Sequence, residues 1–196
     1  MKISNTYRPS FGALYVNNFN IGKLDKNTNE YVSVPASFLQ IDPKNDYDIE
    51  ALYNVATYWG NDSKFATNVY YAACAIRNNC KYYKNNKIFV LTTQLEDFDK
   101  LDDEKILGII HVNELKPKHY FGEHIEVKPD IVYTVTPEYK GVGTAMDKSV
   151  KKLCNKMSIF PLKLKSVRNF VKRNGYVESP QKTNLFVWSR DVFERD

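Results

Sequence analysis

The sequence predicts a mixed α/β (α+β) fold, on three observations. Strand-like and helix-like periodicities alternate along the chain. Two apolar runs flanking an acidic loop read as an antiparallel hairpin. Late in the chain a β-branched run meets two glycines and then an amphipathic, lysine-rich helix. At 196 residues, 43% hydrophobic and 26% charged, the chain is long enough to bury a sizeable core. No run of 18 apolar residues occurs, and Met1–Tyr7 lacks the apolar core of a signal peptide, so a cytoplasmic address and no membrane partner are expected. Cys74, Cys80 and Cys154 show no Cys-x-x-Cys spacing, which argues against a disulfide framework or a zinc knuckle; no metal is expected.

Taken in order, residues 1–47 read as an N-terminal elaboration. Leu14–Val16 and Tyr31–Val34 have strand composition and predict a hairpin, and Pro35 and Pro43 predict loop after it. Residues 48–196 form the main domain. Helical spacing of Ile49, Leu52, Tyr53 and Ala56 predicts a first helix ending at Gly60. After the turn Asn61–Ser63, Phe65, Val69, Ala72, Ala73 and Ile76 predict a second. Lys87–Thr93 and Ile106–Leu115 read as strands joined by the acidic loop, with Gly108 marking a bulge. Lys116–His124 reads as a Pro-containing connection, and His111 as a structural strand histidine.

The stretch from Asp130 to Met157 carries the chemistry. Ile131–Val135 has strand character, and Pro137, with no N–H to donate, ends the pairing. Gly141 and Gly143 let the backbone turn sharply and approach a ligand. A helix follows with Ala145, Met146, Val150, Leu153, Cys154 and Met157 on one face. Strand, glycine turn and helix N-terminus make an anion site, because the first N–H groups of a helix lack intrahelical partners and its dipole favours negative charge. Neither G-x-x-x-x-G-K-[ST] nor G-x-G-x-x-G is present; Met146 stands where the latter needs its third glycine. Charge follows the same division: the net +5 arises from 13 Lys+Arg against 6 Asp+Glu in residues 137–196, and 15 against 17 before them. Basic groups suit a polyphosphate ligand. No nucleic-acid reader motif accompanies them, so nucleic acid is the weaker reading.

After this helix, Pro161–Lys165 predicts a short strand and Ser166 a helix cap. Val167, Phe170 and Val171 form an apolar face, Asn174–Gly175 a left-handed C-terminal stop, and Asn184–Ser189 a closing strand.

Lys140-Gly141-Val142-Gly143-Thr144-Ala145 resembles the [QR]-x-x-G-x-[GA] acyl-CoA signature of the GNAT superfamily of N-acetyltransferases, with Lys for the usual Gln or Arg. Val167–Tyr176, ending in a basic residue, Asn, Gly and an aromatic, resembles the second GNAT signature. The resemblance implies a GNAT-like, mostly antiparallel central sheet flanked by helices. It also implies transfer of an acetyl or related acyl group from acetyl-CoA, as co-substrate, to an amine. Lys140, Gly141, Val142, Gly143, Thr144, Ala145, Asn169 and Arg173 are then the expected coenzyme contacts. The N–H of Val135 would serve both the pantetheine and the thioester oxygen. Asp130, opening its strand as the base does in histone-type members, is the expected proton acceptor, with Glu126 second. Many members place a Tyr acid where Val171 stands. The acceptor is an amine-bearing small molecule or protein, and a homodimer is compatible with the family. Two alternatives stay open: a non-catalytic acyl-CoA sensor or interaction module, and a member acting on tRNA or protein amines.

Overall fold

Among the described residues, period-2 alternation of apolar side chains builds one nine-stranded sheet with helices on both faces. The structure, a computed structural model, describes residues 12–59, 64–161 and 165–190. Its elements are β1 (Leu14–Asp25), β2 (Glu30–Gln40), α1 (Asp46–Trp59), α2 (Lys64–Arg77), β3 (Asn86–Thr92), β4 (Ile106–Lys116), β5 (His119–Val127), α3 (Pro129–Tyr133), β6 (Tyr139–Lys140), α4 (Val142–Leu153), β7 (Lys156–Ile159), α5 (Lys165–Arg173), β8 (Val177–Glu178) and β9 (Phe186–Ser189). The spatial order is β6-β1-β2-β3-β4-β5-β7-β9-β8. Every pair is antiparallel except β5 and β7.

Strand β3 shows why two cores form. Phe89 and Leu91 enter one cluster with Met146 and Val150 of α4 and Met157 of β7. Ile88 and Val90 enter the other with Leu52, Val55 and Trp59 of α1 and Val69 of α2. Successive side chains of a strand point to opposite faces, so each apolar run feeds both layers. Gly108 lies beside the irregularity where Leu91 pairs with Gly108 and Thr92 with Ile106, so the expected bulge is present. A Cβ on Gly108 would stand 2.4 Å from the Met146 sulfur, and its absence lets α4 seat directly on β4.

Several expectations are corrected. Ile131–Val135 is not a strand. Pro129, pre-set for a helical start, opens α3, and the Ile131 N–H bonds the Lys128 carbonyl at 2.9 Å. The sheet position beside β4 is already taken by β5, which the sequence reading left as a connection. Pro117 and Lys118 form only its tight turn, with Lys118 at φ 58. Pro35 lies inside β2, opposite Asn20; the β3 ladder begins only at Ser37, so its missing N–H leaves no bond unmade on that side. The lysine-rich helix stops at Leu153. Cys154 is extended, and Met157 reaches the core from β7, a strand expected later, at Pro161–Lys165. Gly60, the turn 61–63, most of that expected strand and the Ser166 side chain lie outside the described residues.

The chain's second helix stop is as expected. Gly175 adopts φ 81, its N–H bonds the Lys172 carbonyl, and the Tyr176 N–H bonds that of Val171, the paired pattern of a Schellman cap.

Candidate active site

The site is built from one strand that loses its neighbour. Strand β5 pairs with β7 over four positions, His119 to Gly122 against Lys156 to Ile159, and then runs on to Val127 with no β7 partner among the described residues. At the point of departure β5 carries an extra residue: His111 of β4 faces His124 while Val112 faces Gly122, leaving Glu123 as a bulge. A bulge leaves its extra residue outside the ladder, bends the strand and sharpens its twist. Beyond it β7 has ended, at Ile159, and the edge of β5 from Glu123 to Val127 that faces away from β4 has no strand against it among the described residues.

The glycine turn lies at the far end of this uncovered stretch, beside Val127. Gly141 caps α4 at φ 83, a left-handed conformation natural to glycine, and no atom lies within 4 Å of where its Cβ would be. The first bond of the helix joins Ala145 N–H to the Gly141 carbonyl at 2.9 Å. The N–H groups of Val142, Gly143 and Thr144 therefore lack partners within the helix and point outward from its positive end. Gly143 is where α5 and β5 meet the turn: a Cβ there would stand 3.3 Å from the Phe170 ring and 3.6 Å from Val127.

The lead-in to the turn is fastened to the far edge of the sheet. Tyr139 and Lys140 form β6 against Lys23 and Gly22, Leu24 N–H bonds the Glu138 carbonyl at 2.8 Å, and the Tyr31 hydroxyl bonds the Pro137 carbonyl at 2.6 Å. The Lys140 ammonium rests over the Tyr31 ring, 3.8 Å from its centroid. The N-terminal hairpin, to which the sequence assigned no chemistry, thus holds the candidate phosphate turn.

The expected residues divide into two groups. Lys140, Gly141, Val142, Gly143, Thr144 and Ala145 come together at the head of α4, with the β5 end and Phe170 beside them. Asn169 and Arg173 stand exposed, one turn apart on α5. Asp130 and Val135 depart from expectation, because the strand meant to carry them does not form. Asp130 is exposed in the first turn of α3, and Val135 is 100% exposed in the linker beyond it. Asp130 lines a cavity of about 420 Å³ with Tyr58, Trp59, Asp103, Glu104 and Lys128. It also lines one of about 240 Å³ with Tyr139 and Glu138.

Two positions where an acid could have stood are claimed by the core. Val171 is 1% exposed, so its position faces inward. Tyr176 donates to Asp147 Oδ1 at 2.7 Å, and burial among these groups drives its pKa well above the usual tyrosine value. Asp147 also binds Lys151 at 2.5 Å, and Lys151 reaches the Asn174 carbonyl and lies over the Tyr176 ring. Burial raises the Asp147 pKa and lowers that of Lys151. Cys154, sealed behind this network, is pushed up to about 12 by burial and is no nucleophile.

The sequence reading missed the α2-facing side of β5. His124 lies opposite His111, its ring 5.5 Å from Phe65 of α2, and Glu126 follows two residues along on the same face. The signal was the aromatic and β-branched content of Tyr120, Phe121 and Ile125, outweighed by Pro117 and the flanking lysines. Among the described residues no group of three or more His, Cys, Asp or Glu is placed to hold a metal ion, and no helix is long and apolar enough to cross a membrane.

No protein-family model and no curated protein matches the sequence. Solved structures match it by shape. RimL, a ribosomal L7/L12 α-N-protein acetyltransferase, superposes with a TM-score of 0.52 at 9% identity, over 93% of this chain and 97% of its own. A protein of the GNAT family from Desulfovibrio desulfuricans gives 0.50 at 11% identity, over 79% of this chain and 99% of its own. Both share the mixed, mostly antiparallel sheet with flanking helices found here.

Proposed function

We propose, on the premise that this chain has the GNAT acetyltransferase fold, that it is an N-acyltransferase moving an acetyl or related acyl group from acetyl-CoA to a primary amine. The observation that carries this reading is the glycine-capped N-terminus of α4 set against Val127, at the end of the β5 segment that has no β7 partner. Unpartnered helix amides match a diphosphate, and the β5 backbone past Gly122, without a β7 partner, suits an extended pantetheine arm. Lys140, held by Tyr31, adds a cation, and Asn169 and Arg173 offer a donor and a charge from α5.

The thioester oxygen gains charge as the amine attacks, and a fixed backbone N–H aimed at it stabilises that charge. The role first given to the Val135 amide passes to the bulge of β5 around Glu123 and His124, because that is where backbone leaves the ladder, just past the last β7 partner. The cavity walled by Tyr58, Trp59, Asp103, Glu104 and Asp130 is the approach we assign to the amine, and its carboxylates favour a cationic acceptor.

Thr144→Asp tests the coenzyme site. Thr144 is the third residue of α4, where a carboxylate favours the helix by about 0.3–1 kcal/mol but opposes a diphosphate. Calorimetry is expected to show acetyl-CoA binding weakened roughly tenfold or more, about 1.4 kcal/mol, in a protein at least as heat-stable as the parent. Unchanged affinity would sink the assignment. Gly143→Asp is less clean, since its side chain must displace the Phe170 ring.

A non-catalytic acyl-CoA sensor is the second reading, favoured by the inward-facing Val171, which leaves α5 no acid at that position. Release of free thiol dependent on an added amine separates the two. The amine panel includes protein N-termini, because RimL, which shares the fold, acts on a protein α-amine. It also includes tRNA, motivated by the basic C-terminal part of the chain.

A further inference from the structure

Two imidazoles face each other across the β4–β5 ladder. His111 and His124 are direct register partners, with ring centroids 5.6 Å apart and planes at 33°. His111 is 3% exposed, and its Nε2 lies 2.6 Å from Oδ1 of Asn86 on β3. An amide oxygen only accepts, so this contact places the ring proton on Nε2 and leaves Nδ1 as a bare lone pair. Nδ1 of His111 and Nδ1 of His124 are both sealed from solvent, with no hydrogen-bond partner among the described residues.

Around His124 stand His111 from β4, the uncharged Phe65 from α2, and Glu126 further along β5. Burial, with His124 nearby, holds His111 at about 4, and burial lowers His124 from its ordinary value. Both rings are then neutral near pH 7, the form that can accept a proton. Unmatched polar atoms in a core oppose folding. Two of them beside the bulge of β5 mark a place where stability alone does not account for the residues present.

We propose that His124 is the proton acceptor for the attacking amine, and that His111, fixed by Asn86, positions it by turning a bare Nδ1 toward the imidazolium that forms. This rests on the acyltransferase reading above. An ammonium acceptor gives one proton to His124, and its freed lone pair forms the new N–C bond at the thioester carbon. The C–S bond breaks with its electron pair on sulfur, and the second nitrogen proton ends on that thiolate. His124 then returns its proton to water. The products are the acylated amine, the coenzyme thiol and one released proton.

The test uses the full chain with acetyl-CoA and two probe acceptors, spermidine and a lysine-rich peptide. Thiol release is followed across pH, beside calorimetric acetyl-CoA affinity and imidazole NMR of the acetyl-CoA complex. kcat/KM is expected to fall on an acidic limb below the usual histidine value of about 6.5. His124→Gln should lose roughly 10²-fold or more in kcat with acetyl-CoA affinity kept, and Asn86→Ala should displace the limb. NMR should find His111 fixed as the Nε2–H tautomer and His124 titrating with the limb. An unchanged limb in both variants, or His111 carrying its proton on Nδ1, overturns the proposal. If neither probe is turned over, NMR decides: a His124 titration indifferent to Asn86→Ala also overturns it. Failure of the unmodified protein to bind acetyl-CoA overturns the acyltransferase reading instead.

Discussion

Asp48 and His111 are both buried, and their protons pull stability in opposite directions. Asp48 accepts the Asp42 N–H at 2.8 Å through Oδ2, while Oδ1 is sealed without a hydrogen-bond partner among the described residues; burial raises its pKa to about 7. The folded state therefore binds this proton more tightly than the unfolded chain. Its stabilising contribution is complete below about pH 4 and is lost as pH rises through 7. His111, lowered to about 4, behaves inversely: its contribution is complete above the unfolded value of 6.5 and is lost as pH falls through 4. Between about pH 4 and 6.5 the two slopes, each up to about 1.4 kcal/mol per pH unit, largely cancel. Asp48→Asn removes one of them. Urea midpoints of that variant should rise with pH across this window more steeply than those of the parent, and parallel profiles would contradict the burial of an ionisable Asp48.

At the scale of elements, the joint between α4 and the C-terminal strands depends on one ion pair. Lys151 is bonded to Asp147 and to the Asn174 carbonyl, and lies over the rings of Tyr176 and Trp188. Lys151→Met leaves Asp147 buried without its cation, a change that costs about 3–5 kcal/mol. Adding Asp147→Asn should recover a substantial part, because the uncharged amide still reaches Tyr176. Denaturant unfolding of the single and double variants measures both. Elements were legible in the sequence where apolar period and turn chemistry agreed, as in α2, β3, β4 and the Gly175 stop. They were illegible where partners decided. Ile131–Val135 has every local mark of a strand, but Pro129 starts a helix and β5 already occupies the place beside β4. His119–Val127, preceded by Lys-Pro-Lys, has few such marks and becomes the strand on which the site depends.

Across the whole molecule, the glycine turn was legible because its residue types answer to backbone geometry, which is local. The candidate base was not, because opposition of His111 to His124 is a fact of sheet register, and their membership of one site follows only once β5 is in place. The role of the N-terminal hairpin was hidden for the same reason. Tyr31 and Pro137 are 106 residues apart, yet one hydrogen bond joins them. Tyr31→Phe removes that bond, a loss of about 0.5–1.5 kcal/mol. It should appear as weaker acetyl-CoA binding with little change in melting temperature, since the segment it anchors is the lead-in to the turn. Equal affinity in the two proteins would mean that the turn holds its shape without the hairpin.

The pairing of Gly22 and Lys23 with Lys140 and Tyr139 also orders events in time. During synthesis the first hairpin emerges long before its outer neighbour, and closing so long a loop is slow compared with forming either hairpin. Until then the outer edge of β1 presents unpaired backbone, an invitation to other chains. That one two-residue pairing both shortens the open edge of β1 and sets the turn, so the step that readies the molecule for its ligand also makes it less adhesive.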